Sequence, residues 1–277
     1  MKIGVNTFGL GPYLKKNEPA VWNGLREAGV TAIEPCIAFH PAEPQTETEK
    51  ADRERGRFAG VFSASSAAEK IRFWRSMGFE VYSFQLQSHV FSVEAVAEAV
   101  PFMKQHGLRY CIFNFMERSV EKVSRHREGI LEAVRMLREE GLEFLVHNHD
   151  MEWLPDSGTS VMQWLLDNIP ELRFEIDLGW TEYTGHDSIG ILKRYPERFA
   201  LLHFKEIARG GVAWTDKPFC TAPGEGILPL EGLLAAAKEM PLEERAFIID
   251  QDDSVNGDIV GDIAKGVQRI SRIYSAL

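Results

Sequence analysis

Two histidines and two carboxylates fall within the six residues from His147 to Glu152. An apolar run, 144–146, precedes them, and a short apolar run bounded by polar residues predicts a buried strand. Because alternate side chains of a strand share a face, His147 and His149 point the same way. Imidazoles and carboxylates at the end of a buried strand could bind a metal ion or transfer protons. The alternative is a strand end that carries two solvated histidines.

Three later apolar runs end in the same kinds of side chain, at Asp177, His203 and Asp250. Each residue taken alone has an ordinary interpretation. Asp177 could cap a helix, His203 could be a satisfied core histidine, and Asp250 could be a capping acid in an acidic segment. Four successive strands with similar endings favour a shared site instead, because the carboxyl ends of parallel strands meet at one end of a barrel.

Mixed oxygen and nitrogen ligands with open positions suit a catalytic Mn²⁺, Zn²⁺, Co²⁺ or Fe²⁺ ion. A structural zinc site is closed and often contains cysteine. A buried group of acids without a cation would also repel itself, and one acid would have to take up a proton. The residue types therefore predict a metal site at these strand ends. Glu34 on the second predicted strand and Glu117 after the fourth are weaker candidates for the same site.

The elements that must position these residues form a regular pattern. Strand-type and helix-type segments alternate eight times along the 277 residues, with short connections and no linker. This alternation predicts a parallel sheet covered by helices, and eight such units are typical of a single (β/α)8 TIM barrel over residues 1–277. A doubly wound open sheet is the alternative. It usually has a glycine-rich turn after its first strand, and the turn at 8–12 lacks the third glycine.

The expected boundaries follow from apolar periodicity and from Gly, Pro and Ser positions. Strands are predicted at 2–8, 32–39, 80–87, 110–116, 143–149, 173–178, 199–206 and 246–250. Helices are predicted at 19–28, 65–77, 92–107, 124–140, 160–168, 188–195, 230–240 and 258–274. Pro101 should kink or divide the third helix. The segment 40–60 is rich in Pro, Glu and Lys, so it is expected to be a long loop that either covers a substrate or has no role.

Composition narrows the class of partner. The formal net charge of −10 argues against nucleic acid or an anionic membrane surface as the main partner. The three cysteines are far apart and form no CxxC, which fits a reducing compartment. The sequence contains neither a signal-peptide pattern nor an apolar run of transmembrane length. We therefore expect a cytoplasmic protein that acts on a small molecule, with homo-oligomerisation left open.

Five segments in order carry a resemblance to a known family. They are Val146–Trp153, Phe174–Trp180, Leu201–Glu206, Pro223–Ile227 and Phe247–Asp252. Together they resemble the sugar phosphate isomerase/epimerase family, which has the xylose isomerase-like TIM barrel fold, and in particular its branch with a His-Asn-His motif on strand five. The resemblance covers essentially the whole chain and is strongest from strand five onward. It is specific for the superfamily and not for one substrate.

The resemblance implies a divalent metal, most often Mn²⁺, with Zn²⁺, Co²⁺, Fe²⁺ and Mg²⁺ as alternatives. Asp177 and His203 match the family's metal ligands. Asp250 stands where the family usually has glutamate, so direct binding and binding through water both remain open. The ketose epimerases supply a glutamate from strand five, where this chain has His147. Either His147 or Glu152 from the following loop is then the strand-five ligand.

The implied chemistry is removal of a proton next to a carbonyl by a sugar or sugar phosphate isomerase or epimerase, with Glu152, Asp250 and His149 as acid–base candidates. A dehydratase or lyase acting on a keto-sugar or cyclitol would need the same groups and is the first alternative. A sugar-binding barrel that has lost its chemistry is the second. One reason for this second alternative is Asp250, which replaces the family's usual glutamate. The other is Trp180, which stands where those epimerases carry a histidine. An endonuclease on this fold is disfavoured by the acidity and the few histidines.

Further residues after the strand ends are candidates for substrate binding. Lys205 and Arg209 follow strand seven and could bind substrate oxygens or a phosphate, although solvated surface cations are an equal alternative. Tryptophans that follow strand ends are expected to wall the pocket, because an indole ring can stack on a sugar or exclude water. They are Trp153, Trp180 and Trp214.

Overall fold

A single sheet of short parallel strands organises the computed structural model of the chain, which describes residues 1–40, 50, 54, 56–88, 90–243 and 247–277. Over these residues the strands are β1 (Ile3–Asn6), β2 (Ala32–Glu34), β3 (Cys36–Ala38), β4 (Val61–Ser63), β5 (Ser83–Leu86), β6 (Tyr110–Asn114), β7 (Glu143–His147), β8 (Arg173–Asp177), β9 (Phe199–Phe204) and β10 (Phe247–Ile249). The order across the sheet is β2-β1-β10-β9-β8-β7-β6-β5-β3-β4.

The sheet closes on itself through β2 and β3, which are separated only by Pro35. β2 pairs with β1, whereas β3 pairs with β5. Proline has no amide hydrogen and interrupts the ladder, but its carbonyl accepts a hydrogen bond from the backbone N–H of Gln85 at 3.0 Å. With β2 and β3 counted as one strand and β4 as an extra strand beside β3, eight strands form the barrel. The predicted (β/α)8 fold is therefore confirmed.

Helices follow most of these strands. Those with described bounds are α1 (Gly11–Glu27), α2 (Ala64–Ser76), α3 (Val93–His106), α4 (Val120–Ser124), α5 (Arg127–Glu139), α6 (Val161–Asn168), α7 (Leu178–Tyr183), α8 (Ser188–Arg194), α9 (Leu230–Lys238) and α10 (Ile259–Ala276). Serine or aspartate side chains cap several of them by accepting a backbone N–H in the first turn, as Ser63, Ser92 and Ser160 do. None of the helices in the described part of the chain has the length and apolarity to cross a membrane.

Several predicted boundaries differ from the structure. α1 begins at Gly11, and its backbone breaks at Asn17, whose Oδ1 accepts the N–H of Ala20 at 3.2 Å. Asn17 thus starts a second helical segment at the place where the sequence predicted the helix. α3 runs through Pro101 as one helix, so of the predicted kink or division, the division is wrong. Proline removes one backbone hydrogen bond from α3, while the inner face of the helix remains buried.

Three elements were missed or merged. The predicted helix 124–140 corresponds to α5, whereas the short helix α4 before it, the short strand β4 and helix α7 were not predicted. α7 starts directly after β8, leaving no loop between strand and helix. The predicted loop 40–60 lies mostly outside the described residues, except for a 3-10 turn at Arg57–Gly60. The predicted first residue of the eighth strand, Ala246, also lies outside them.

The hydrophobic core lies between the sheet and the helices. Trp22 of α1 and Trp74 of α2 are fully buried, and their rings meet edge to face at 5.2 Å. A smaller apolar cluster fills the barrel interior. Above it, the interior is occupied by polar side chains, and these form the site described next.

Candidate metal centre

Four of the predicted site residues converge at the carboxyl end of the barrel. His147 ends β7, Asp177 ends β8, His203 lies in β9, and Asp250 follows β10. All four are buried, and one potential ligand atom of each lies within 4.8 Å of the others. Strand register explains the convergence, because Asp177 pairs with His203, which in turn pairs with Ile248 two residues before Asp250.

Three atoms in this cluster are buried without a hydrogen-bond partner: His147 Nε2, Asp177 Oδ2 and Asp250 Oδ1. An unsatisfied buried polar atom costs about 1–3 kcal/mol, so three of them in one place point to a missing ligand. An imidazole nitrogen and carboxylate oxygens suit a divalent cation such as Zn²⁺ or Mn²⁺. The residues present therefore fit a divalent metal ion.

Asp177 serves two purposes at once. Its Oδ1 accepts the N–H of Trp180 at 2.8 Å and caps α7, which confirms the helix-cap interpretation. Its Oδ2 stays unpartnered and belongs to the cluster. The side chain of Asn148, directly after β7, fixes the backbone of Asp177 through hydrogen bonds to its N–H (3.0 Å) and carbonyl (3.2 Å). Burial raises the pKa of Asp177 to about 8, partly offset by Lys205.

The two histidines of the cluster carry different charges. Burial lowers the pKa of His147 to about 3, so its ring is neutral and can offer a lone pair. Burial acts the same way on His203, but the carboxylates of Glu175 and Glu34 outweigh it and hold its pKa well above the usual range. Its Nε2 lies 2.9 Å from Glu34 Oε1, and its Nδ1 lies 3.3 Å from Asp250 Oδ2.

Lys205 is a buried cation and not a solvated surface residue. Its Nζ lies 3.1 Å from Asp250 Oδ2 and 3.0 Å from Asp252 Oδ2. Burial would lower the pKa of Lys205, but these two aspartates raise it well above the ordinary value. In return, although burial opposes ionisation of Asp250, Lys205 and His203 keep its pKa below the usual range. Asp250 is therefore an ionised, firmly held carboxylate.

Adjacent aromatic rings extend from the cluster toward solvent. His149 is half-buried, burial keeps its pKa well below the usual range, and its Nδ1 is without a partner. Its ring lies 6.0 Å from that of Trp180, which is fully buried. Trp214 stacks parallel on Trp180 at 5.3 Å and is 55% exposed. Its Nε1 donates to Asp150 Oδ2 at 3.0 Å.

The structure does not bring Glu152 to the cluster. Its Oε1 accepts the backbone N–H of Met116 at 2.6 Å, and its Oε2 accepts that of His149 at 2.9 Å. Both oxygens thus hold the loops after β6 and β7 in place. Burial raises the pKa of this carboxyl to about 7, opposed by these backbone hydrogen bonds. Of the two strand-five candidates, only His147 presents a free atom to the cluster.

Two substrate-binding candidates also lie elsewhere. Trp153 is buried in the core beneath α7, where its Nε1 donates to Thr181 Oγ1 at 3.0 Å. Arg209 is exposed in the turn after β9. Trp180, the remaining tryptophan of that set, lies behind Trp214, which presents the exposed ring.

A second set of polar residues surrounds the cluster, of which sequence reasoning predicted Glu34 as a weaker candidate and missed Glu175. Glu175 of β8 contacts both His147 and His203. Glu34 accepts hydrogen bonds from Asn6 Nδ2 at 2.9 Å and from Ser83 Oγ at 2.7 Å. Strand periodicity could have identified Glu175, since it lies two residues before Asp177 and so shares its inward face.

Comparisons with known proteins identify the fold. Neither a protein-family model nor a curated protein matches the chain. Among solved structures, a sugar phosphate isomerase/epimerase from Parabacteroides distasonis is 17% identical and superposes with a TM-score of 0.72 over 99% of this chain and 95% of its own. The probable 3-DHS dehydratase AsbF of Bacillus anthracis is 11% identical, with a TM-score of 0.62 over 99% of both chains.

A third similar structure was solved with a metal ion. It is a xylose isomerase-like TIM barrel protein from Mycobacterium smegmatis in complex with magnesium, 13% identical, with a TM-score of 0.65 over 99% of this chain and 97% of its own. The chain thus has the fold of the xylose isomerase-like TIM barrel proteins, as the resemblance of its five segments predicted. At these identities the likeness establishes the fold and leaves the activity to the site.

Proposed function

We propose that this protein is a divalent-metal-dependent sugar or sugar phosphate isomerase or epimerase that removes a proton next to a carbonyl. One observation carries the proposal: His147, Asp177 and Asp250 each direct an unpartnered buried ligand atom into a single cluster that also contains His203. Similar structures described as a sugar phosphate isomerase/epimerase and as a magnesium complex support it. Mn²⁺ is the proposed metal, with Zn²⁺, Co²⁺, Fe²⁺ and Mg²⁺ as alternatives.

When bound, the cation would polarise a substrate carbonyl and stabilise the negative charge that develops as the proton leaves. The proposed ligands are His147, Asp177, Asp250 and His203, which would bind as a neutral ring through Nδ1, the nitrogen beside Asp250. Glu152 is not included, because backbone amides occupy both of its oxygens.

Proton transfer is assigned to His149. Burial lowers its pKa, so the imidazole is neutral at pH 7, and its buried Nδ1 has no competing partner, which leaves this nitrogen free to exchange a proton with a substrate. The aromatic rings of Trp180 and Trp214 beside it limit access of water. Lys205 adds positive charge next to Asp250 and stabilises an anionic substrate oxygen there.

Elimination is the second candidate function. Glu152 is held by backbone amides. The acid–base candidates that remain in the described site are therefore an imidazole, His149, and a carboxylate, Asp250. A base on one side and a cation on the other suit removal of a proton followed by loss of a hydroxyl or glycosidic oxygen from a keto-sugar or cyclitol. The shared fold of a probable dehydratase supports this candidate.

Incubation of keto-sugars and cyclitol ketones in D₂O with Mn²⁺, followed by NMR, tests both candidates. Deuterium incorporation without a change in composition is the expected result for isomerisation or epimerisation. Loss of water or of an aglycone would identify the lyase. Binding of a ligand from the panel without exchange or elimination would contradict both and favour a sugar-binding barrel.

A further inference from the structure

Glu175 contacts both histidines of the proposed metal centre from below. Its Oε2 lies 3.0 Å from His147 Nδ1, and its Oε1 lies 3.0 Å from His203 Nε2. The side chain is fully buried, and Gln85 Nε2 donates a further hydrogen bond to Oε2 at 3.0 Å. Neither the sequence motifs nor the proposed ligand set gives this carboxylate a role.

The contact with His147 decides which nitrogen of that ring is free. Glu175 Oε2 already accepts a hydrogen bond from Gln85 Nε2 and lies 3.0 Å from His147 Nδ1, so this geometry assigns the hydrogen of the ring to Nδ1. Nε2 then carries the lone pair, and this atom is the one that is buried, unpartnered and directed at Asp177 and Asp250. With the hydrogen on Nε2 instead, the ring would present a donor to the cluster and could not bind a cation.

The contact with His203 is of another kind. The Nε2–H of His203 points at Glu34 Oε1, 2.9 Å away, and makes its hydrogen bond there. Glu175 Oε1 adds an ion pair to the same nitrogen. The two glutamates thus hold Nε2 of His203 on the lower side, which leaves Nδ1 beside Asp250.

We propose that Glu175 is a positioning residue for the metal centre, which fixes His147 as the Nδ1–H tautomer so that Nε2 can bind the cation. It acts through His147 and does not touch the substrate. Carboxylates that receive the second N–H of a ligating histidine set its tautomer and orientation in many metal sites, and their loss typically lowers metal affinity by about 10–100-fold. The inference rests on the proposed function in one respect only, which is that the group bound by His147 Nε2 is a divalent cation.

The test compares Glu175→Met, which removes the acceptor at similar volume, with Glu175→Gln, whose amide oxygen can still accept the N–H. Long-range ¹⁵N–¹H spectra of the metal-free proteins report the tautomer, with His147 assigned from the spectrum of His147→Gln. We expect the Nδ1–H tautomer in the unsubstituted protein and in E175Q, and a shift toward Nε2–H in E175M. Calorimetric titration with Mn²⁺ should show about a 10–100-fold loss of affinity in E175M and a smaller loss in E175Q.

Several outcomes would overturn the inference. An Nε2–H tautomer at His147 in the unsubstituted protein would do so without any variant, as would an unchanged tautomer and Mn²⁺ affinity in a folded E175M. If circular dichroism shows that E175M does not fold, the unsubstituted protein and E175Q decide. If the protein binds no divalent ion but the tautomer follows Glu175 as expected, the positioning role stands and the proposed function fails.

Discussion

Asp250 is shared between His203 and Lys205: its Oδ2 lies 3.3 Å from His203 Nδ1 and 3.1 Å from Lys205 Nζ, while its Oδ1 has no partner. One oxygen is therefore fixed by two cationic groups, and the other remains available to a metal ion. These two contacts hold Asp250 in the cluster, although its side chain is one methylene shorter than that of glutamate. Lys205 also pairs with the partly buried Asp252, so a single ammonium group compensates two acids.

Replacement of Lys205 by methionine should destabilise the protein strongly. The substitution leaves Asp250 and Asp252 without their cation, and breaking a buried ion pair by removing one partner typically costs about 3–5 kcal/mol. Lys217→Met, at an exposed position in the same connecting segment, is the matched control and should change stability by less than about 0.5 kcal/mol. Urea unfolding of the metal-free proteins measures both. Equal stabilities for the two variants would show that Lys205 does not neutralise these acids.

Asp177→Asn should lose most bound metal while keeping its helix cap. Asparagine caps helices as well as aspartate does, so the bond from the N–H of Trp180 is retained and only the ligand oxygen Oδ2 is lost. Asp187→Asn makes the same change at the cap of α8, away from the cluster, and should keep full occupancy. Mass spectrometric metal analysis after dialysis against Mn²⁺ gives both values. Near-full occupancy in D177N would remove Asp177 from the ligand set.

Glu152→Gln should make stability less sensitive to pH. Burial raises the pKa of Glu152 from 4.5 to about 7 in the folded protein, so the folded state binds its proton more tightly than the unfolded state does. The stability that this group contributes is fully present below pH 4.5 and is lost as the pH rises toward 7. Glutamine does not titrate. The free energy of unfolding of the variant, relative to that of the unsubstituted protein, should therefore rise by about 3 kcal/mol between pH 4.5 and 8.

The measurement is the free energy of unfolding of both proteins across that pH range. A constant difference would show that Glu152 has an ordinary pKa. The same variant also tests the acid–base role first predicted for this residue. Because its oxygens bind backbone amides, we expect bound metal to be unchanged and turnover to fall far less than for His149.

His149→Gln should lower turnover by ~10²–10⁴-fold, the usual loss for a general acid or base, with bound metal unchanged. The unpartnered Nδ1 and low pKa of His149 are the basis of this prediction. His186→Gln is the control, since His186 packs against Trp153 away from the cluster. Steady-state rates with a substrate found by deuterium exchange measure the effect. Similar rates for the two variants would exclude His149 as the proton-transfer group.

Strand periodicity and strand order carried most of the prediction of the site. A buried strand leaves its last inward side chain at the barrel's carboxyl end, so Asp177, His203 and Asp250 could be placed together from sequence before any distance was known. His147 follows from the same rule. The closure of the barrel through Pro35 does not follow from a local pattern, because the pairing partners of the residues on either side depend on the whole sheet.

The roles of Glu152 and Lys205 could not be derived in this way. Glu152 binds the backbone N–H of Met116, a residue 36 positions away whose amide is turned inward by a left-handed backbone conformation (φ 48°). Lys205 lies two residues after His203 and would share its inward face if the strand continued, but the pattern does not show where the strand ends. The strand ends at Phe204, and Lys205 turns in to meet Asp250 and Asp252. Both contacts depend on loop conformations that no local pattern specifies.

The central claim is that His147, Asp177, His203 and Asp250 bind one divalent cation. A crystal structure of the protein soaked with Mn²⁺, with anomalous differences recorded at a wavelength where manganese scatters strongly, tests it most directly. We expect one strong peak in direct contact with His147 Nε2, Asp177 Oδ2 and Asp250 Oδ1, the free atoms of the cluster, with His203 completing the site. A fully soaked crystal with no peak between these four side chains, or with manganese held at other residues, would contradict the claim.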